Sequence, residues 1–135
     1  VQIVAKQIFN EIKKITGTGK SCLLAGGEPT VSVKGSGRGG RCQELAAIMV
    51  KKIKGLRKSV FIAAGTDGSD FIQGVSGAIV DNETFNEAIK QGYQVEHFII
   101  DNNSYEFHKN MNNLIYSKKT NTNVCDFMIF VMNGT

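Results

Sequence analysis

The sequence predicts a single α/β domain in which a mixed β-sheet is flanked by helices. Three observations carry that prediction. Apolar residues recur at helical spacing over residues 1–16 and 41–54. Short apolar runs of strand character fall between and after them, at 21–27, 59–65 and 126–132. The two kinds of segment intermix along the whole length, with no internal repeat and no low-complexity tract. With 135 residues the chain can bury one real core and hardly two.

Each element follows from its own residues. Residues 1–16 place Val1, Val4, Ile8, Ile12 and Ile15 on one face, with Lys6, Glu11, Lys13 and Lys14 mostly away from it. The glycines of "GTGK" at 17–20 stop that helix. "SCLLAGG" at 21–27 reads as a short buried strand. "EPTVSVK" at 28–34 alternates Val31 and Val33 against Thr30 and Ser32, a half-buried strand that starts near Pro29. A glycine loop follows, and residues 41–54 form a helix with Leu45, Ile48, Met49 and Ile53 toward a core. "SVFIAAG" at 59–65 is a buried strand, and residues 66–77 a glycine- and Asp-bearing loop. "AIVDN" is ambiguous. Residues 83–92 form a short helix, and residues 95–113 two more, parted near Asn102–Asn103. Asn103 and Glu106 have the spacing of a capping box. "LIYS" and "DFMIFVM" are strands joined by a polar loop. Phe61, Phe107, Phe127 and Phe130 sit in apolar patterns and read as core.

Composition excludes several classes. Hydrophobic content of 41% and charged content of 21% match an ordinary globular domain. The net charge of +4 is mild, and no basic stripe is interleaved with aromatics, which argues against nucleic-acid binding. No apolar run approaches the about 18 residues of a membrane span, and no signal peptide is visible. Cys22, Cys42 and Cys125 lack CxxC spacing, so a disulfide framework or zinc site is not expected, and a reducing, cytoplasmic compartment fits better. Fifteen glycines against one proline point to tight turns and close backbone approaches. The chain starts at Val1 inside a helical pattern, as a piece of a longer protein would.

Chemistry concentrates in "KGSGRGGRCQE" at 34–44. Gly35, Gly37 and Gly40 satisfy G-x-G-x-x-G before a helix, where backbone N–H groups and the helix dipole can hold an anion. Arg38 and Arg41 add forks that match phosphate or carboxylate oxygens. Generic anion binding, a dinucleotide site and a purely structural turn all remain open from spacing alone. A dinucleotide fold wants an acid about 20 residues on, and Asp67 and Asp70 come later than that pattern expects. "GTGKS" at 17–21 is not a P-loop, because Lys14 stands where the first glycine belongs. Asp67 and Asp70 follow a buried strand, where an Asp can hold Mg²⁺, accept a proton, or simply make an Asx-turn. His97 and His108 have no partner at metal-ligand spacing and read as satisfied or exposed. Cys42 sits in a first helical turn beside Arg41, where a thiolate is favoured, although no nucleophilic constellation surrounds it.

Several segments together resemble one family. "LLAGGEPTVSVKGSGRGGRCQEL", "FIAAGTDGSD", "GAIVDNET", "NNSY" and "TNTNVCDFMIFV" occur in the order of the C-terminal MOFRL domain of glycerate 2-kinases. The resemblance covers nearly all of residues 1–135 and implies a domain that follows a Rossmann-like N-terminal domain of the same chain. It implies ATP as co-substrate, Mg²⁺, and phosphoryl transfer to the 2-hydroxyl of D-glycerate in a cleft between the two domains. Homodimerisation is compatible with it. It places the family's polar positions on Glu28, Lys34, Arg41, Glu44, Asp67 and Asn123. Arg41 would neutralise the glycerate carboxylate or the transferring phosphoryl, and Asp67 would be base or Mg²⁺ partner. Glu28, Lys34, Glu44 and Asn123, with Gly35, Gly37, Gly39 and Gly40, would bind or orient substrate.

The chain departs from the family pattern at Cys42, across Phe71–Ser76, at Asn103 and across Lys118–Cys125. These departures cluster in candidate site loops. They keep two further readings in play: a diverged, non-catalytic binding domain, and a hydroxypyruvate reductase-type oxidoreductase, a label that bacterial relatives carry.

Overall fold

The computed structural model describes residues 1–17 and 19–134. In chain order the elements are α1 (Gln2–Ile15), β1 (Ser21–Gly27), α2 (Arg41–Ile53), β2 (Ser59–Gly65), β3 (Val75–Asp81), α3 (Thr84–Lys90), α4 (Val95–Ile100), α5 (Ser104–Asn110), β4 (Leu114–Tyr116) and β5 (Asp126–Met132). Among the described residues this is one α/β domain with a five-stranded sheet in the order β1-β5-β2-β3-β4.

The sheet is antiparallel at every pairing rather than mixed. The cause is topological. β1, α2 and β2 make a βαβ unit whose two strands run in the same direction, but they do not touch. The last strand, β5, returns between them and pairs antiparallel with both. Sequence order alone suggests a parallel neighbour, and the inserted strand removes it.

Side-chain alternation then divides the sheet into two faces. Leu23, Phe130, Phe61 and Val80 stand in one row, and Ala25, Met128, Ala63 and Ala78 in the next. These rows pack under the helices. The intervening row, Leu24, Ile129, Ile62 and Ile79, points the other way. Leu24 is 71% exposed there, so β1 is an edge strand and not the buried strand its composition suggests. Phe127 shares that outward face and is only half-buried, unlike Phe61, Phe107 and Phe130.

α2 is the centre of the domain. It packs on β2 and β3 on one side and on α1, α3, α4 and α5 on the other. Ten of its residues are buried, among them Leu45, Ile48, Met49 and Ile53 as expected, but also Gln43 and Glu44. α1 buries Ala5, Ile8 and Ile12 against it. Its chain turns at Thr16 and Gly17, while Thr18 of the expected stop lies outside the described residues.

Residues 28–34 are not a strand. Alternation suggests a strand, but ladder partners make one. Here the Lys34 N–H donates instead to Asn102 Oδ1 at 2.7 Å. "AIVDN" resolves as the end of β3, so the preceding loop closes at Gly74 and not at Gly77. Gly77 must be glycine: a Cβ would lie 1.9 Å from the Ala63 carbonyl of β2. Asp81 caps α3, its Oδ1 accepting the Thr84 N–H at 2.8 Å. The capping box at α5 does not form, because Asn103 Oδ1 accepts the Arg38 N–H at 3.2 Å.

Candidate functional site

The expected anion loop is occupied from within. The N–H groups of Lys34 and Gly35 donate to Asn102 Oδ1, that of Ser36 to Asp101 Oδ1, and that of Gly37 to the Asp101 carbonyl. At the start of α2, the Cys42 and Gln43 N–H groups donate to the two carboxylate oxygens of Asp70 at 3.1 and 2.9 Å. Gln43 Nε2 reaches the same carboxylate at 3.0 Å. The helix N-terminus therefore already holds an anion, and that anion is a side chain of the β2–β3 loop. Asp70 is 5% exposed; burial pushes its carboxyl up from the ordinary value, and the donated Gln43 and Cys42 N–H groups pull it back.

The glycines serve contact rather than open backbone. A Cβ at Gly35 would meet the Asp101 backbone at 2.3 Å, one at Gly37 the Asn103 Cβ at 2.3 Å, and one at Gly39 the Ser104 Oγ at 2.1 Å. A dinucleotide pyrophosphate needs these amides free, so the loop gives the reductase reading no support. Cys42 is not thiolate-like: burial, with Asp70 and Asp126 nearby, drives its thiol far above the ordinary range.

The second cluster centres on Arg41 and lies at one end of the sheet. Gly27 pairs with Asp126, and Gly65 pairs with Asp126 on the other side. The ends of β1 and β2 thus converge on the start of β5. Arg41 Nε donates to Asp126 Oδ2 at 2.5 Å, and its Nη2 to Asp126 Oδ1 at 2.9 Å. Its Nη1 sits 3.1 Å from Glu28 Oε1. Asp126 is 2% exposed, and its fork holds Arg41 charged well above the ordinary range. A guanidinium has five N–H bonds; these three contacts leave two without a partner among the described residues. Asp67 lies alongside, since the point a Gly65 Cβ would take is 3.0 Å from Asp67 Oδ1 and 3.5 Å from Asp126 Oδ1.

Asp67 makes the Asx-turn: its Oδ1 accepts the Ser69 N–H at 2.9 Å. With Ser69, Lys119, Asn121, Thr122 and Asn123 it lines a cavity of about 430 Å³. Among the described residues no three His, Cys, Asp or Glu side chains gather as a metal cage. Mg²⁺, however, commonly takes one or two carboxylates and fills its shell with water and phosphate, and Asp67, in a cavity that also carries the side-chain oxygens of Ser69, Asn121, Thr122 and Asn123, fits that role. The cavity thus brings Asp67 and Asn123 together. Lys34 and Glu44 lie elsewhere, in a cavity of about 730 Å³ bounded by Val1–Val4, Ile99 and Asn102. Glu44 Oε2 accepts the Asn102 Nδ2 hydrogen there at 2.9 Å.

Residues 21–126 match the MOFRL family. The chain belongs to the MOFRL family. It is 41% identical over 122 residues to the glycerate kinase of Danio rerio, matching 86% of this chain and 24% of that one. It is 37% identical over 109 residues to the D-glycerate 2-kinase of Thermotoga maritima, across 81% of this chain and 26% of the other. The solved glycerate kinase structure from T. maritima superposes with a TM-score of 0.86 at 33% identity, covering 96% of this chain and 32% of that one. A Pyrococcus horikoshii protein superposes equally well, at 31% identity over 97% of this chain and 31% of its own. The MOFRL chain described here therefore spans only about a quarter to a third of these relatives.

Sequence reasoning named Arg41, Asp67, Glu28 and Asn123 but missed Asp126 and Asn102 as organising residues. Asp126 had a signal: a carboxylate opening an otherwise apolar strand. Asn102 had one too, as a residue in a turn between two helices, and its φ of +53° places it in the left-handed region that Asn tolerates.

Proposed function

We propose that this chain is the part of a glycerate 2-kinase that supplies one wall of the site for phosphoryl transfer from ATP to the 2-hydroxyl of D-glycerate. An N-terminal Rossmann-like domain of the same chain would supply the other wall. The single observation that supports this best is the convergence of Arg41, Glu28, Asp126 and Asp67 at one end of the sheet. Phosphoryl transfer depends chiefly on position and on neutralising charge, and that is what this cluster offers. Arg41 is held rigid by two carboxylates and presents its remaining N–H groups to a substrate carboxylate or to the transferring phosphoryl. Asp67 would hold Mg²⁺ or take the 2-hydroxyl proton; the metal, when bound, neutralises phosphate charge. Asn123 and Glu28 orient the loops that carry these groups. Lys34 and Glu44, through Asn102, brace the glycine segment behind Arg41.

A chimera tests the reading. The matching segment of the T. maritima enzyme is replaced by this chain and assayed with ATP, Mg²⁺ and D-glycerate. The expected result is 2-phosphoglycerate, lost by at least about a hundredfold in Arg41→Ala and Asp67→Asn, as for removed charge stabilisation. A folded chimera without turnover would sink the proposal. So would robust turnover by the 135-residue chain alone.

A further inference from the structure

Phe71 is held in a position that an aromatic residue does not adopt freely. It is 80% exposed and has φ +66°. The Ile72 N–H donates to the Asp70 carbonyl at 2.8 Å, which makes Phe71 the apex of a three-residue γ-turn, a strained form. The turn is pinned on its inner side. The Asp70 N–H donates to the Val75 carbonyl at 2.7 Å, and the Asp70 carboxylate is buried under α2. A pinned backbone thus displays the ring.

It borders a cavity of about 650 Å³ with Ser69, Gln73, Ser117, Lys118 and Lys119, a size usual for small-molecule sites. Among the described residues no carboxylate lines this cavity. Among the described residues no ion pair involves Lys118 or Lys119. Ser69 and Lys119 also line the cavity that holds Asp67, so the two are neighbours. An exposed aromatic face, hydroxyl and amide groups and two unpaired cations, with a carboxylate in the neighbouring cavity, are the groups that a base, a sugar, phosphates and their metal call for.

We propose that this groove is the nucleotide site: Phe71 stacks the base, Lys118 and Lys119 neutralise the phosphates, and the chain of phosphates leads toward Asp67. The choice of an adenine nucleotide rests on the kinase reading above; the stacking and the cations do not.

The test titrates the 135-residue chain with N-methylanthraniloyl-ADP by fluorescence anisotropy and competes it with ADP and with tripolyphosphate. Phe71→Tyr is expected to keep affinity within about twofold, and Phe71→Gly to lose about tenfold, in the range of one lost base–aromatic stack. Phe71→Gly should melt no lower than the native chain, because glycine relaxes the positive φ; a residue that served packing would lower it. Lys118→Ala with Lys119→Ala should weaken binding and flatten its salt dependence. No binding at millimolar nucleotide, binding indifferent to Phe71→Gly, or tripolyphosphate competing as well as ADP would each overturn the assignment. The two readings separate cleanly. Nucleotide binding through Phe71 with an inactive chimera leaves the site and removes the kinase. An active chimera indifferent to Phe71→Gly leaves the kinase and removes the site.

Discussion

A methyl group at Gly40 would lie 2.2 Å from Asp70 Cγ and 2.3 Å from the Asp70 carbonyl. Neither neighbour can retreat, because Asp70 is the cap of α2 and is 5% exposed. Gly40→Ala is therefore expected to cost about 1–3 kcal/mol, as overpacking does, read as a lower midpoint in urea unfolding. An unchanged midpoint would mean that the cap is looser than described. The requirement for glycine was legible in the sequence, where four glycines crowd residues 35–40. Its reason was not. The same residues that free a backbone to approach a phosphate also free it to approach Asp101, Asn103, Ser104 and Asp70. Spacing describes one side of a close approach, and the other side comes from 30 to 70 residues away.

α2 is an element whose start is completed by a distant loop. Gly40 stands at its N-cap position and offers no side-chain bond. Asp70 supplies it instead, across 27 and 28 residues of sequence. Asp70→Asn would keep the size while giving up the charge and one acceptor, and about 1–2 kcal/mol should be lost, the usual worth of a cap. Hydrogen exchange at the Cys42 and Gln43 amides should speed up ahead of the rest of α2. Equal acceleration along the whole helix would point to global unfolding and against a local cap. The boundaries of α2 and of strands β2 and β5 could be read from periodicity, since each carries its apolar pattern locally. Segment 28–34 shows the limit of that signal: it alternates as a strand does, yet its backbone is spent on Asn102.

At the scale of the molecule, α5 is tied to α2 by a buried histidine. His108 is fully buried, and its Nε2 hydrogen donates to the Gln43 carbonyl at 2.8 Å. Its Nδ1 has no partner among the described residues. Burial pushes its pKa down from 6.5 to about 4. A group depressed in the fold binds its proton more readily when unfolded, so its share of stability is intact above pH 6.5 and is lost as pH falls toward about 4. Over that window stability should fall by about 1.4 kcal/mol per pH unit from this residue. His108→Gln should flatten the slope between those limits in thermal melts, beyond what the carboxylates contribute. A variant with the native slope would show that other groups carry the acid sensitivity.

The sequence by itself determined the α/β class, the single domain, α2 with its two flanking strands, and the family. Those follow from local periodicity and from motifs contiguous in the chain. It also named Arg41 and Asp67, which sit at strand and helix ends where polar groups stand out against apolar runs. Tertiary structure alone decided that β5 enters between β1 and β2, because strand order depends on which edges meet and not on which residues are neighbours. It alone decided that Asp126 grips Arg41 and that Asp70 fills the helix N-terminus. A carboxylate is drawn to the nearest buried cation or unpaired amide, and distance along the chain does not enter that energy.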